Sequence, residues 1–216
     1  MMLQRHHLIY LDPCADFFLV SCHEDKQLIK EQVSVWLAKG LPCIYAKQVP
    51  DDEFLNLGLP LWYANKKHRV ALRVASSAVQ KQNPPPQLLE MQDFFLRYYG
   101  IDDLNRAIGL HGISDVAVYG SFLSQYLSGY DFVTKSSDLD LLINYHEYSL
   151  NHLQDLVDTL TQQFKRIIDG EIRFPGLGDI PIKELLNTST KKVLCKSKDN
   201  VSLLSRTELY EHYPLL

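Results

Sequence analysis

Residues 118–144, VYGSFLSQYLSGYDFVTKSSDLDLLIN, carry the pattern that decides the fold of the second half of the chain. The apolar start of this stretch predicts a strand that ends in a glycine turn at Gly120, and Ser121 then opens a helix. Its apolar end predicts a second strand that carries Asp138 and Asp140. Strand residues two apart point to the same face, with α-carbons about 6.5 to 7 Å apart. We therefore expect the two carboxylates to lie side by side.

Such a carboxylate pair is costly unless a cation compensates it. Aspartate is depleted in strands, and two like charges on one face repel each other. Hard divalent ions such as Mg²⁺ or Mn²⁺ prefer carboxylate oxygens and substrate phosphates. The pair predicts a metal site at Asp138 and Asp140, whereas the plain alternative is a solvated sheet edge or a turn.

The glycine turn between strand and helix predicts a phosphate site. Free backbone amides and the helix dipole favour an anion there. Gly120 lets the backbone approach a ligand closely, and the Ser121 hydroxyl can donate to a phosphate oxygen. In the plain alternative, Ser121 only caps its helix.

The clearest break in the chain is QNPPP at residues 82–86, because consecutive prolines join neither a helix interior nor a central strand. It predicts two domains, 1–85 and 86–216. In the first, strands are expected at 8–11, 17–20, 42–46, 61–64 and 70–74, with one helix at 26–39. The motifs Gly-Leu-Pro at 40–42 and 58–60 predict two similar turns. This half is expected to be a small, mixed α/β domain.

The second half predicts an alternation of strands and helices. Helices are expected at 87–99, 103–110 and 150–164, and strands at 115–119, 138–144, 166–174 and 191–196. The predicted fold class is α+β, with a mixed sheet and flanking helices in the second domain. The aromatic residues Phe94, Phe95, Tyr98 and Tyr99 cover one side of the first of these helices and are expected to pack in the core.

Composition narrows the classes of function. The formal net charge of −4 argues against a protein that coats nucleic acid. The four cysteines form no CxxC pair, which argues against a zinc ribbon or a disulfide framework. The N-terminus lacks a signal-peptide pattern and no segment reaches the length of a membrane span. We expect a cytoplasmic protein that binds neither membrane nor nucleic acid.

A glycine-serine turn followed by Ser-Asp-Leu-Asp on the next strand resembles the active-site signature of the polymerase-beta-like nucleotidyltransferase superfamily. The sixteen residues between Ser121 and Asp138 are more than most members have there. Together with further short motifs along the chain, they make it similar to the holo-acyl-carrier-protein synthases of malonate decarboxylase, the phosphoribosyl-dephospho-CoA transferases. Those motifs are RHHL at 5–8, DP at 12–13, GLP at 58–60, DGE at 169–171 and FP at 174–175.

The resemblance implies transfer of a phosphoribosyl-dephospho-CoA group from its triphosphate precursor to a serine of an apo acyl-carrier-protein subunit, with release of diphosphate. Asp138 and Asp140 would hold Mg²⁺ or Mn²⁺, and Gly120 and Ser121 would bind the departing phosphates. Two other functions stay open. One is transfer of a nucleoside monophosphate to a protein or small molecule, and the other is noncatalytic binding on the same fold.

A third carboxylate completes most sites of this kind, and Asp169 and Glu171 are the candidates. They alternate with apolar residues and glycine on a predicted strand, so both are expected on one face. We favour Glu171 as a catalytic group and keep Asp169 as a candidate metal ligand. In the plain alternative, this is a solvated strand face on which Glu171 pairs with Arg173.

The densest basic cluster comprises Lys66, Lys67, His68, Arg69 and Arg73. It is either a contact surface for an acidic carrier protein or the phosphates of the donor, or a solvated face. A second group of lysines on a predicted strand, Lys192 and Lys196, receives no role, because exposed lysines commonly protect strand edges.

Overall fold

A computed structural model describes residues 3–21, 25–101 and 103–216. The chain divides into two compact units, each with its own sheet. The first unit comprises Met1–Pro85 and Leu127–Phe132, and the second comprises Pro86–Tyr126 and Val133–Leu216. The fold class is α+β, and the first unit takes one short segment from the second half of the sequence.

The described part of the first unit consists of strands around one helix. Its elements are β1 Leu8–Leu11, β2 Phe17–Ser21, α1 Lys26–Ala38, β3 Cys43–Tyr45, β4 Phe54–Tyr63, β5 Lys66–Ala75 and β6 Val79–Asn83. The strands form one sheet in the order β2-β5-β4-β3-β1-β6. Each neighbouring pair that the structure describes is antiparallel, so this unit is a helix-backed antiparallel sheet.

The core of the first unit follows the alternation of its two longest strands. Leu57, Leu59 and Leu61 of β4 are each at most 3% exposed, and so are Val70, Leu72 and Val74 of β5. The expected turn at 58–60 was wrong, because Gly58 and Pro60 are the outward residues of this continuous strand. The expected turn at 40–42 is present, with Gly40 at a φ of 68° after α1.

The second unit carries the remaining elements. They are α2 Gln92–Tyr99, α3 Leu104–Gly109, β7 Val116–Tyr119, α4 Gly120–Ser128, β8 Leu139–Asn144, α5 Leu150–Phe164, β9 Ile168–Phe174, β10 Gly178–Pro181, α6 Ile182–Leu186, β11 Lys192–Lys196, β12 Val201–Ser205 and α7 Arg206–His212. A single 3₁₀ turn, Leu88–Met91, precedes α2. The last residues of α4 already belong to the segment assigned to the first unit.

The sheet of the second unit has the order β12-β11-β10-β9-β8-β7 and is mixed. β8 and β9 are parallel, because helix α5 carries the chain from the end of β8 back to the side of the sheet on which β8 began. The other neighbouring pairs are antiparallel. The helix α5, predicted at 150–164, buries Leu153, Leu156, Leu160 and Phe164 on one face.

Six of the twelve elements of the second unit were predicted to within two residues at each end, α2 begins five residues later than predicted, and four short elements were missed. These are β10, α6, β12 and α7. The aromatic residues Phe94 and Phe95 are buried, as predicted, but core packing was wrong for Tyr98, which is 58% exposed. None of the helices in the described residues combines the length and apolarity that a membrane crossing requires.

Candidate active site

The glycine turn and the aspartate strand meet directly. Tyr119, the last residue of β7, is the register partner of Asp140 on β8, and Gly120 follows it with a φ of 67°. A Cβ atom at Gly120 would lie 2.0 Å from Oδ2 of Asp140. Only glycine leaves room for this carboxylate beside the start of α4, where Ser121 occupies the first turn.

The third carboxylate beside this pair belongs to Asp169. Asp140 and Asp169 are register partners on the parallel strands β8 and β9, so their α-carbons are direct neighbours across the sheet. Asp138 lies immediately before β8 and its side chain is 35% exposed, as is that of Asp169. Three aspartates therefore lie together where the strands β8 and β9 begin, next to Gly120.

A lysine that the sequence analysis did not select joins two of these aspartates. Lys183 Nζ donates to Oδ2 of Asp169 at 2.7 Å and lies 3.9 Å from Oδ2 of Asp138. The hydrogen bond to Asp169 raises the pKa of Lys183, burial lowers it in part, and the charges of Asp169, Asp138 and Asp140 raise it further. The edge of the sheet is therefore an anionic site that holds a cation.

Glu171 takes a different partner. It is 4% exposed, its register partner is Leu142, and Lys196 Nζ of β11 donates to its Oε1 at 2.7 Å. Arg173, which the plain alternative paired with Glu171, reaches across to its register partner on β10, Asp179. Its Nε and Nη2 donate to the two carboxylate oxygens of Asp179 at 2.7 and 2.9 Å.

The loop before Asp138 is held in shape by Arg166. Its Nη1 donates to the carbonyl oxygens of Thr134 and Ser137, both at 2.9 Å, and of Lys135 at 3.3 Å. The guanidinium carbon lies 5.4 Å from the centre of the Phe122 ring on α4. One side chain thus connects helix α4 to the loop that precedes Asp138.

Hydrogen bonds within this loop add to its order. The Ser137 Oγ accepts the backbone N–H of Thr134 at 2.9 Å, and the hydroxyls of the two residues lie 3.1 Å apart. The backbone N–H of Leu139 donates to the carbonyl of Ile167 at 2.9 Å. Asp138 therefore enters the site from a constrained turn and not from an open loop.

The basic cluster lies in the first unit, on strand β5. Lys66, Lys67 and Arg69 are exposed, whereas Arg73 is bound to Asp52 at 2.6 Å and its guanidinium lies 5.2 Å from the ring centre of Phe54. Arg73 thus makes contacts within the first unit. A role of the other basic residues in binding a carrier protein or the donor stays a prediction.

Two site residues escaped the sequence analysis for one reason. Lys183 and Arg166 contact carboxylates and carbonyls of residues 14 to 45 positions away, and the sheet order that brings them there has no local signal. A partial signal did exist, because Gly176 and Gly178 flank Leu177 and predict a tight hairpin that returns the chain along β9. That hairpin, β9–β10, carries the chain to Lys183.

The chain matches known proteins over nearly its whole length. The family described as phosphoribosyl-dephospho-CoA transferase MdcG C-terminal domain matches residues 100–207, and the corresponding N-terminal domain matches residues 4–85. No solved structure matches significantly.

Individual relatives agree with these family matches. A phosphoribosyl-dephospho-CoA transferase of Xanthomonas axonopodis pv. citri is 30% identical over 217 residues, which cover 97% of each chain. One of Bradyrhizobium diazoefficiens is 28% identical over 207 residues, covering 94% of this chain and 90% of the relative. The resemblance inferred from the motifs is confirmed: the chain belongs to the phosphoribosyl-dephospho-CoA transferase family and is a transferase.

Proposed function

We propose that this chain transfers the phosphoribosyl-dephospho-CoA group from a triphosphoribosyl-dephospho-CoA donor to a serine of the apo acyl-carrier-protein subunit of malonate decarboxylase, releasing diphosphate. The observation that carries this proposal is the line of Asp138, Asp140 and Asp169 along one sheet edge, beside the opening of α4 at Gly120. It is the arrangement that phosphoryl transfer needs, with carboxylates for a metal and an anion site next to them.

The second unit is proposed to have the nucleotidyltransferase fold. Its support is the order of elements, since a strand ends in a glycine turn, a helix follows, and the next strand returns antiparallel with the aspartates. The parallel strand β9 then adds Asp169 at the position beside Asp140.

The three carboxylates fit a divalent metal such as Mg²⁺ or Mn²⁺. All three side chains offer hard oxygen ligands, and the amine of Lys183 already occupies a cation position against two of them. Asp138, Asp140 and Asp169 would hold the metal. When bound, it would neutralise negative charge on the reacting phosphates and align the donor.

The remaining work falls to the protein's own groups. The backbone amides at the start of α4 and the Ser121 hydroxyl bind the diphosphate that leaves, with Gly120 allowing its close approach. Arg166 keeps the loop before Asp138 in place, so the carboxylates need little reorganisation when substrate binds. The rate comes mainly from position and charge neutralisation, as in other phosphoryl transfers.

We assign the third carboxylate to Asp169 in place of Glu171. Asp169 is the register partner of Asp140 and shares Lys183 with Asp138, whereas Glu171 is buried in an ion pair with Lys196. Asp169 acts either as a metal ligand or as the base that takes the proton of the acceptor serine. Glu171 supports the sheet beneath the site.

The test is mass spectrometry of the apo carrier subunit after incubation with this protein, Mg²⁺ and the triphosphoribosyl-dephospho-CoA donor, with ATP as the parallel donor. The expected result is a mass gain equal to the prosthetic group that disappears when the metal is chelated. A nucleotide adduct from ATP alone would favour the other transferase function. No adduct from either donor would favour a noncatalytic protein.

Isosteric variants assign the carboxylates within the same assay. Asp138→Asn, Asp140→Asn and Asp169→Asn should each lower the transfer rate by about 10²-fold or more. Glu171→Gln should keep a rate close to the wild type once matched for folded protein. The assignment of Asp169 fails if Glu171→Gln abolishes transfer and Asp169→Asn does not.

A further inference from the structure

The cation in the carboxylate site is the amine of Lys183, which has a definite position at the end of a flexible side chain. Lys183 lies at the second position of α6, and its side chain is 54% exposed. It contacts Asp169 and Asp138 through a single amine on a flexible four-carbon stem. An amine held in this way can leave its partners without disturbing the fold around it.

The two oxygens of Asp169 are both in use. Oδ1 accepts the backbone N–H of Gly170 at 2.8 Å, and Oδ2 accepts Lys183 at 2.7 Å. The first bond is internal to β9 and fixes the carboxylate, so Oδ2 is the oxygen turned toward the site. A metal that takes Oδ2 must therefore displace the lysine amine.

A displaced amine stays near the site, because α6 begins directly at the end of β10 and keeps the lysine stem beside β9. Once the metal compensates the aspartates, the densest negative charge at this edge belongs to the phosphates of the donor. A lysine point charge with three donors binds phosphate well. Lys183 is therefore placed to pair with the carboxylates when no metal is bound and with the donor phosphates when a metal is bound.

We infer that Lys183 is a resident counter-ion that occupies the cation position of the site before the metal binds, competes with the metal for Asp169, and then contacts a phosphate of the donor. This inference rests on the proposed function, because it takes the aspartates as metal ligands. It assigns to Lys183 two effects of opposite sign, weaker metal binding and stronger donor binding. A lysine with only a structural role would produce neither.

The experiment measures both effects on Lys183→Met in the full chain. Mn²⁺ affinity of the protein alone is titrated by the electron paramagnetic resonance signal of the free ion, and the KM for the donor is measured at saturating metal. The variant should bind Mn²⁺ about two- to fivefold more tightly, as expected for loss of a partly exposed competing ion pair. Its donor KM should rise about tenfold or more, as expected for a lost charged hydrogen bond.

Two further variants serve as controls. Lys183→Arg keeps the positive charge and should restore Mn²⁺ affinity to within about twofold of the wild type. Lys198→Met removes an exposed lysine outside the site and should change neither quantity. Circular dichroism verifies folding, and Lys183→Gln replaces the methionine variant if that protein is unstable.

The outcomes distinguish a failure of this inference from a failure of the proposed function. If the wild type and Asp140→Asn give the same Mn²⁺ titration, the metal site itself is wrong and the proposed function fails with it. If Asp140→Asn loses Mn²⁺ binding but Lys183→Met keeps the wild-type affinity or the wild-type donor KM, only the counter-ion role is overturned.

Discussion

Gly170 shows how closely the central strands of the second unit approach each other. It has a φ of 130°, and a Cβ atom there would lie 1.9 Å from the carbonyl oxygen of Leu141 and 2.6 Å from its backbone nitrogen. These neighbours are backbone atoms of β8, so they cannot turn aside as a side chain would. The glycine lets β9 lie against β8 at the place where Asp169 meets Asp140.

Gly170→Ala should therefore destabilise the second unit strongly, by more than about 3 kcal/mol, since backbone strain and a steric clash act together. The matched control is Gly112→Ala, because Gly112 also has a positive φ of 62° but no atom within 4 Å of the place that a Cβ atom would take. That change should cost only about 1 kcal/mol. Urea unfolding followed by far-ultraviolet circular dichroism compares them, and equal losses would show that the approach to Leu141 is unimportant.

Local spacing could predict the aspartate pair, the glycine turn and the candidates for the third carboxylate. It could not choose between Asp169 and Glu171, because the choice depends on the register of β9 against β8. A shift of two residues in that register would have placed Glu171 beside Asp140. Register is a property of the folded sheet, set by packing and by the crossover through α5.

At the scale of elements, Arg166 links three parts of the second unit. Its guanidinium bonds the carbonyls of the loop before Asp138 and lies 5.4 and 5.7 Å from the ring centres of Phe122 on α4 and Tyr99 on α2. The planar fork of arginine suits several carbonyls at once, and a lysine amine lacks this geometry.

Arg166→Met should lower kcat by about 10- to 100-fold with a smaller effect on KM, because the position of Asp138 matters most in the transition state. Arg166→Lys should restore little of this loss. Steady-state transfer assays measure the effect, with Arg97→Met on the exposed side of α2 as the control. An unchanged kcat in Arg166→Met would mean that the loop keeps its shape without the guanidinium.

The elements that the sequence analysis missed are short and lack periodicity. β12 has exposed residues at its first three positions, so it shows no alternation, as is common for an edge strand. α7 is only seven residues long, yet its start has a readable signal. Ser205 and Glu208 form a capping box, the Ser-x-x-Glu pattern that marks helix N-termini.

At the scale of the whole molecule, the core of the first unit includes a residue from the middle of the stretch 118–144. Phe132 is 1% exposed, and its ring lies 6.3 and 5.8 Å from those of Trp36 and Trp62 in edge-to-face contacts. In the same segment, the Tyr130 hydroxyl accepts a hydrogen bond from Lys39 Nζ. The unusual length between Ser121 and Asp138 thus includes residues that complete another core.

Phe132→Ala should destabilise the first unit by about 3 to 5 kcal/mol, because it leaves a cavity between two tryptophans. The chain has only two tryptophans, and both lie in this unit, so tryptophan fluorescence in urea reports on it selectively. Phe18→Ala is the control, since Phe18 is 61% exposed in the same unit and should cost less than about 1 kcal/mol. Equal losses in the two variants would contradict the packing role.

Alkaline pH should weaken the first unit through Cys43. Burial raises the pKa of its thiol from 9.0 to about 12. A pKa raised by folding contributes stability that is complete below pH 9 and is lost as pH rises toward 12. Above pH 9, the free energy of unfolding of the wild type should therefore fall relative to that of Cys43→Ala, by about 1.4 kcal/mol per pH unit.

Urea unfolding followed by tryptophan fluorescence between about pH 8 and pH 11 measures this shift. The other groups of the unit titrate in both proteins, so they cancel in the difference. A difference that stays constant over this range would mean that the Cys43 thiol ionises in the folded protein as easily as in the unfolded one.

The place of Phe132 also sets an order of events during synthesis. Trp36 and Trp62 leave the ribosome long before Phe132 does, so the core of the first unit stays incomplete until Phe132 emerges. When Phe132 emerges and fills it, Gly120 and Ser121 have been made and Asp138 is only six residues behind. The nascent chain thus completes the core of the first unit just as Asp138 and Asp140 are about to emerge.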